Sequence, residues 1–137
     1  MSEQNVELAR RGYEALMTGD LDAVAELFDP DLSWQWWEQG PWDCHSREEA
    51  MTVIRERFGQ RAIGELVEII DVDEERIVVV MRRNPDSERS YAEMGVPEGH
   101  DESANVVTIR DGKVVSMQDY KTKADALAAV SDGGDGA

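Results

Sequence analysis

Asp119 is the residue with the clearest chemical potential in this sequence. It lies near the end of KVVSMQDY, where apolar and polar residues alternate, so that Val115, Met117 and Asp119 share one face of a predicted strand. If Val115 and Met117 face an apolar interior, the carboxylate goes with them. Desolvation then disfavours its charged form and raises its pKa above the ordinary value of about 3.9, tuning it for general acid or base work near neutral pH. An aspartate at a strand end can instead be solvated or cap the helix that follows, and the alternation leaves both open.

The second feature is WQWWEQGPW, which holds all four tryptophans of the chain. A buried aromatic side chain removes about 150–250 Å² from water, worth about 4–6 kcal/mol gross. Four exposed indoles would exceed the apolar patch a monomer normally tolerates. Most must therefore be covered, by the core, by a partner or by a ligand. As a strand, LSWQWW puts Leu32, Trp34 and Trp36 on one face and Trp37 on the other. Gly40-Pro41 breaks it, and Trp42 follows the break. The pattern is compatible with plain core and with a ligand wall.

Other chemistries find less support. His45 and His100 are the only histidines, and no HxxxH or CxxC spacing occurs, so neither a metal nor another cofactor is expected. No glycine-rich phosphate loop and no nucleophile elbow is present. With 14 Lys and Arg against 30 Asp and Glu, the net charge of −16 repels nucleic acid and anionic membranes. It suits a solubilising surface or a cationic partner. The lone Cys44 allows no internal disulfide, and neither a signal segment nor a membrane span is read, so the expected location is cytoplasmic.

These residues need elements to position them. Val6, Ala9, Tyr13 and Leu16 form the buried stripe of a helix over 4–18. Gly19 stops it, and Asp20 caps a second helix carrying Leu21, Val24, Leu27 and Phe28, which ends at Asp29-Pro30-Asp31. After the Trp strand, Ser46 and Glu49 form a capping box for a third helix with Met51, Ile54 and Phe58. ELVEIIDV and RIVVVMRR are strands around Asp73-Glu74-Glu75. ANVVTIR and KVVSMQDY form a hairpin around Asp111-Gly112. KADALAAV is a short last helix. The stretch 84–102 lacks clear periodicity but carries Tyr91, Met94, Val96 and His100, enough to cover something apolar. The order predicts a single α+β domain over 1–130, with helices on one face of a curved sheet and a disordered tail over 131–137.

ARRGYEALMTGDLDAVAELFDPDLSW, SREEAM and TIRDGKVVSMQDYKTKADAL, in this order, resemble the SnoaL-like branch of the nuclear-transport-factor-2-like superfamily. The resemblance implies a cone-shaped curved antiparallel sheet wrapped around three N-terminal helices, with a short C-terminal helix and a pocket in the wide end. It also implies a homodimer, expected through the outer sheet face towards which Trp37 points. SnoaL-like cyclases use an aspartate on the late strand as the base, which corresponds to Asp119. The family's polar partner one strand earlier corresponds to Asn105, whose amide can donate to an oxyanion. A regular ladder around Asp111-Gly112 pairs Asn105 with Gln118 and puts Asn105 and Asp119 on opposite faces. Only a β-bulge brings them together. The position of the isomerase base is occupied by Trp36. Tyr13 stands one residue, about 100° around the helix, from the isomerase tyrosine, yet remains on the buried stripe, as a third catalytic candidate or as packing.

The resulting expectation is a pocket for a small apolar carbonyl-bearing molecule, lined by Trp34, Trp36, Trp42, Phe58, Met117 and His100. Asp119 would abstract a proton there, in a cyclase, isomerase or lyase type of reaction. A non-catalytic binding module of the same fold and a homo-oligomeric scaffold are the alternatives.

Overall fold

The computed structural model describes residues 2–35, 43–59, 65–82 and 102–135. Helix α1 (Ser2–Thr18) ends at Gly19, whose positive φ of 82° suits a residue without a Cβ. The Asp20 side chain accepts from the Ala23 N–H and starts α2 (Leu21–Glu26). Strand β1 follows (Phe28–Gln35), then α3 (Arg47–Gly59), β2 (Glu65–Asp71), β3 (Arg76–Arg82), β4 (Glu102–Arg110), β5 (Lys113–Tyr120) and α4 (Lys123–Asp135). The capping box at α3 forms: Ser46 Oγ accepts from the Glu49 N–H, and Glu49 reaches back to the His45 N–H.

The sheet has the order β1-β5-β4-β3-β2. It is mixed, which corrects the antiparallel expectation: β1 runs parallel to β5, and the other three pairs are antiparallel. Tight turns force the β2–β3 and β4–β5 pairs to be antiparallel. Strand β1 is joined to β2 through α3 and is free to enter from the other direction. It also starts earlier than expected. Phe28 leaves the helix for the sheet, where it pairs with Val114, while Leu27 caps α2 and its carbonyl accepts from the Val114 N–H. Pro30 is tolerated within this edge strand because the register is interrupted between Phe28 and Ser33, where its missing N–H breaks no ladder.

The main core lies between helices α1–α3 and one sheet face. Leu8, Val24, Ala50, Met51 and Ile54 meet Phe28, Leu32, Ile77, Val107, Ile109 and Val114 there. Asn5, itself buried, donates from Nδ2 to the Glu74 carbonyl and ties α1 to the β2–β3 turn. On the opposite face, Ala126 and Val130 of α4 pack against Val78, Val80 and Ala104. Part of the face expected to meet a second copy is therefore covered within the chain. Helix α4 continues through Asp135, five residues into the segment read as a tail.

Candidate functional site

The β4–β5 hairpin decides the geometry around Asp119. Its turn residues have positive φ, 53° at Asp111 and 75° at Gly112, as a two-residue hairpin loop requires. Arg110 pairs with Lys113 and Ile109 with Val114, but Thr108 pairs with Ser116. Val115 is thus the extra residue of a β-bulge, and every later pair is shifted by one. Asn105 now stands directly opposite Asp119, and Val107 opposite Met117. The shared face reads Ile109, Val107, Asn105 on β4 and Val114, Met117, Asp119 on β5. Val114, which is buried, takes the place expected for Val115. A bulge bends its strand and increases local twist, and it is what reconciles the two polar residues.

Two N–H donors meet on one oxygen of Asp119. Asn105 Nδ2 donates to Oδ1 from β4, and Trp34 Nε1 donates to the same Oδ1 from β1 at 3.1 Å. All three side chains are half-buried. An ionised carboxylate only accepts, so the amide of Asn105 must turn its nitrogen towards Asp119. Its Oδ1 then points elsewhere and is a buried acceptor without a hydrogen-bond partner among the described residues. Such an atom costs about 1–3 kcal/mol. The opposite orientation would set oxygen against oxygen. Donors on a carboxylate favour its charged form, while burial disfavours it. The site therefore combines two opposed influences on one carboxyl group.

Trp34 is fixed by its backbone as well. Its N–H bonds to the Cys44 carbonyl at 2.9 Å, and the Cys44 N–H returns to the Trp34 carbonyl at 2.8 Å. On its other side Trp34 is in register with Met117 of β5. Its ring packs against the main core, as does Met117. Cys44 is itself buried. Nothing in the local pattern around Cys44 signals this bridge; it could have been found only by noticing that Trp34 is on an edge strand whose second side needs a partner.

Of the expected site residues, the structure brings together Asp119, Asn105, Trp34 and Met117. Tyr13 is half-buried on α1. Phe58 lies near the end of α3, is 38% exposed and sets its ring over Gly19 in the α1–α2 turn. One and two turns earlier on the same helix, Ile54 and Met51 take the buried positions. Phe58 thus covers that turn at the surface. Trp36, Trp42 and His100, together with Trp37, lie outside the described residues. Among the described residues no group of three or more His, Cys, Asp or Glu side chains could hold a metal ion, and no helix is long and apolar enough to cross a membrane.

The family model of the SnoaL-like domain matches residues 9–117, which include β1, β4 and most of β5. The chain belongs to the SnoaL-like domain family. Its solved neighbours agree on the fold. Bal32a, from a soil-derived mobile gene cassette, is 23% identical with a TM-score of 0.71, over 94% of this chain and 97% of that one. A candidate polyketide cyclase from Sinorhizobium meliloti is 16% identical with a TM-score of 0.65, over 87% and 98%. An NTF2-like protein of unknown function from Burkholderia pseudomallei is 21% identical with a TM-score of 0.62, over 93% and 97%. No curated protein matches the sequence. A de novo designed protein with a curved β-sheet is as similar in shape, with a TM-score of 0.65 at 12% identity, so this architecture by itself carries no activity. Function in this SnoaL-like domain has to be argued from its side chains.

Proposed function

We propose that this SnoaL-like domain binds a small, apolar, carbonyl-bearing molecule against the helix-facing side of its sheet, and that Asp119 removes a carbon-bound proton from it. The observation that carries the reading is the cross-strand pairing of Asp119 with Asn105, produced by the Val115 bulge and flanked by Met117 and Val107. Asp119 is the general base. Asn105 has two N–H hydrogens on Nδ2, and with one directed to Asp119 the second is the donor for the developing enolate oxygen. A candidate polyketide cyclase shares this fold.

A second reading has an observation of its own. Two N–H donors on a single carboxylate oxygen stabilise the ion and so weaken it as a base. Under this reading the domain is a binding module in which Asp119 is a polar anchor. Exchange of carbon-bound hydrogen separates the two. Apolar cyclic ketones, β-tetralone among them, are incubated with the protein in D₂O, and deuterium at the α-carbon is followed by NMR. Accelerated incorporation supports the base. Saturable binding without acceleration makes the domain a binder.

A further inference from the structure

We propose that Trp34 is a positioning residue for Asp119, acting through its indole N–H and not as part of an aromatic wall. Trp34 pairs with Met117, so Asp119 is its diagonal neighbour two residues along β5. Diagonal neighbours across a strand pair lie about 7–8 Å apart, within reach of a long aromatic side chain. The indole spans that gap and ends in a donor, and the contact it makes is 3.1 Å. A serine or asparagine at the same position is too short to do so. The backbone of Trp34 is fixed from both sides, by β5 and by the paired hydrogen bonds to Cys44, so the ring leaves β1 in a set direction.

The two donors on Asp119 differ in what they can do. An amide can present either its nitrogen or its oxygen, so Asn105 alone would accept either protonation state of its partner. An indole nitrogen can only donate. Trp34 is therefore the group that fixes the polarity of the site: it holds Oδ1 as an acceptor and orients the carboxylate from the side of β5 opposite Asn105. This role rests on the reading of Asp119 as base only for its meaning in turnover, since the contact exists without substrate.

The test uses the full chain. The indole ¹H–¹⁵N resonance of Trp34 is assigned by its loss in Trp34→Phe, a substitution that keeps a flat ring and removes the donor. In the parent it should move with pH at one midpoint, together with the ¹³C signal of the Asp119 carboxyl, and in Asp119→Asn that movement should vanish. Cys44, bridged to Trp34, and its neighbours Asp43 and His45 are the other titratable groups beside it; any indole movement that persists in Asp119→Asn is theirs. In Trp34→Phe the Asp119 carboxyl should bind its proton about tenfold more tightly, one pH unit higher in midpoint, because the ion has lost a donor. An indole signal that stays flat through the carboxyl titration overturns the proposal, and so does an unchanged midpoint in Trp34→Phe. Should Trp34→Phe fail to fold, the resonance is assigned in the parent from through-space contacts of the indole N–H to β5, and its titration decides alone. Ketone exchange is measured separately, so a domain that shows the coupled titration without any exchange keeps this role for Trp34 and loses the base.

Discussion

Replacing Asp119 by Ala should destabilise the fold by about 2–4 kcal/mol. The substitution removes the acceptor of two half-buried donors, Trp34 Nε1 and Asn105 Nδ2, and strands both. Each stranded donor costs about 1–3 kcal/mol. Because neither is fully enclosed, the lower part of that range applies, and the sum is set against the relief of no longer desolvating a carboxylate. Asp119→Asn keeps an acceptor oxygen in the same place and should cost only about 1 kcal/mol. Against a total stability of about 5–15 kcal/mol, the difference is readily measured by urea denaturation at pH 7. If Asp119→Ala is as stable as the parent, or more so, the two donors do not depend on the carboxylate and the description of the site is wrong. Equal losses in the Ala and Asn variants would say the same of the hydrogen bonds and leave only the lost charge.

Further outcomes follow from other parts of the fold. Leu32 of β1 is fully buried in the core shared with the helices, so Leu32→Ala should lose about 2–5 kcal/mol in the same denaturation assay. Gly19→Ala places a Cβ in a backbone with φ of 82°; about 1 kcal/mol should be lost, although the nearest atom of Phe58 leaves room for the methyl. Asp73 accepts from the Glu75 and Arg76 N–H groups and pairs with the Arg76 guanidinium. Burial pushes its carboxyl upward, but these partners outweigh it and hold the pKa below the ordinary 3.8. A depressed folded-state pKa stabilises above the unfolded value, and that stability is lost as pH falls through the folded one. Asp73→Ala should therefore cost under about 1 kcal/mol at pH 7, because the turn is exposed. The gap between variant and parent should close as the pH falls from the ordinary 3.8 through the lowered folded-state pKa.

Local chemistry made much of this fold legible in advance. The Asp111-Gly112 hairpin, the Ser46–Glu49 capping box and the Gly19–Asp20 break each rest on a few adjacent residues, and each stands where the sequence puts it. What was not legible depends on distant partners. The parallel pairing of β1 follows from where α3 sends the chain, and the entry of Phe28 into the sheet follows from Val114, far along the chain. The bulge at Val115 has no local signature, because valine suits a regular strand equally well; only the conflict between Asn105 and Asp119 hinted at it. Trp34 was legible as a residue needing cover, whereas its N–H on Asp119 required the β1–β5 register. Phe58 illustrates the reverse: helical spacing puts it on the stripe of Met51 and Ile54, but the helix end carries it past the core.

The most direct test of the account compares the parent with Asp119→Asn in two measurements on one ketone, its affinity and the rate of deuterium incorporation at its α-carbon. Asparagine preserves the shape of the site and an acceptor for Trp34 while removing the base. Affinity should be unchanged and the rate lowered about 10²–10⁴-fold, the usual contribution of a general base. A variant that exchanges the ketone as fast as the parent contradicts it.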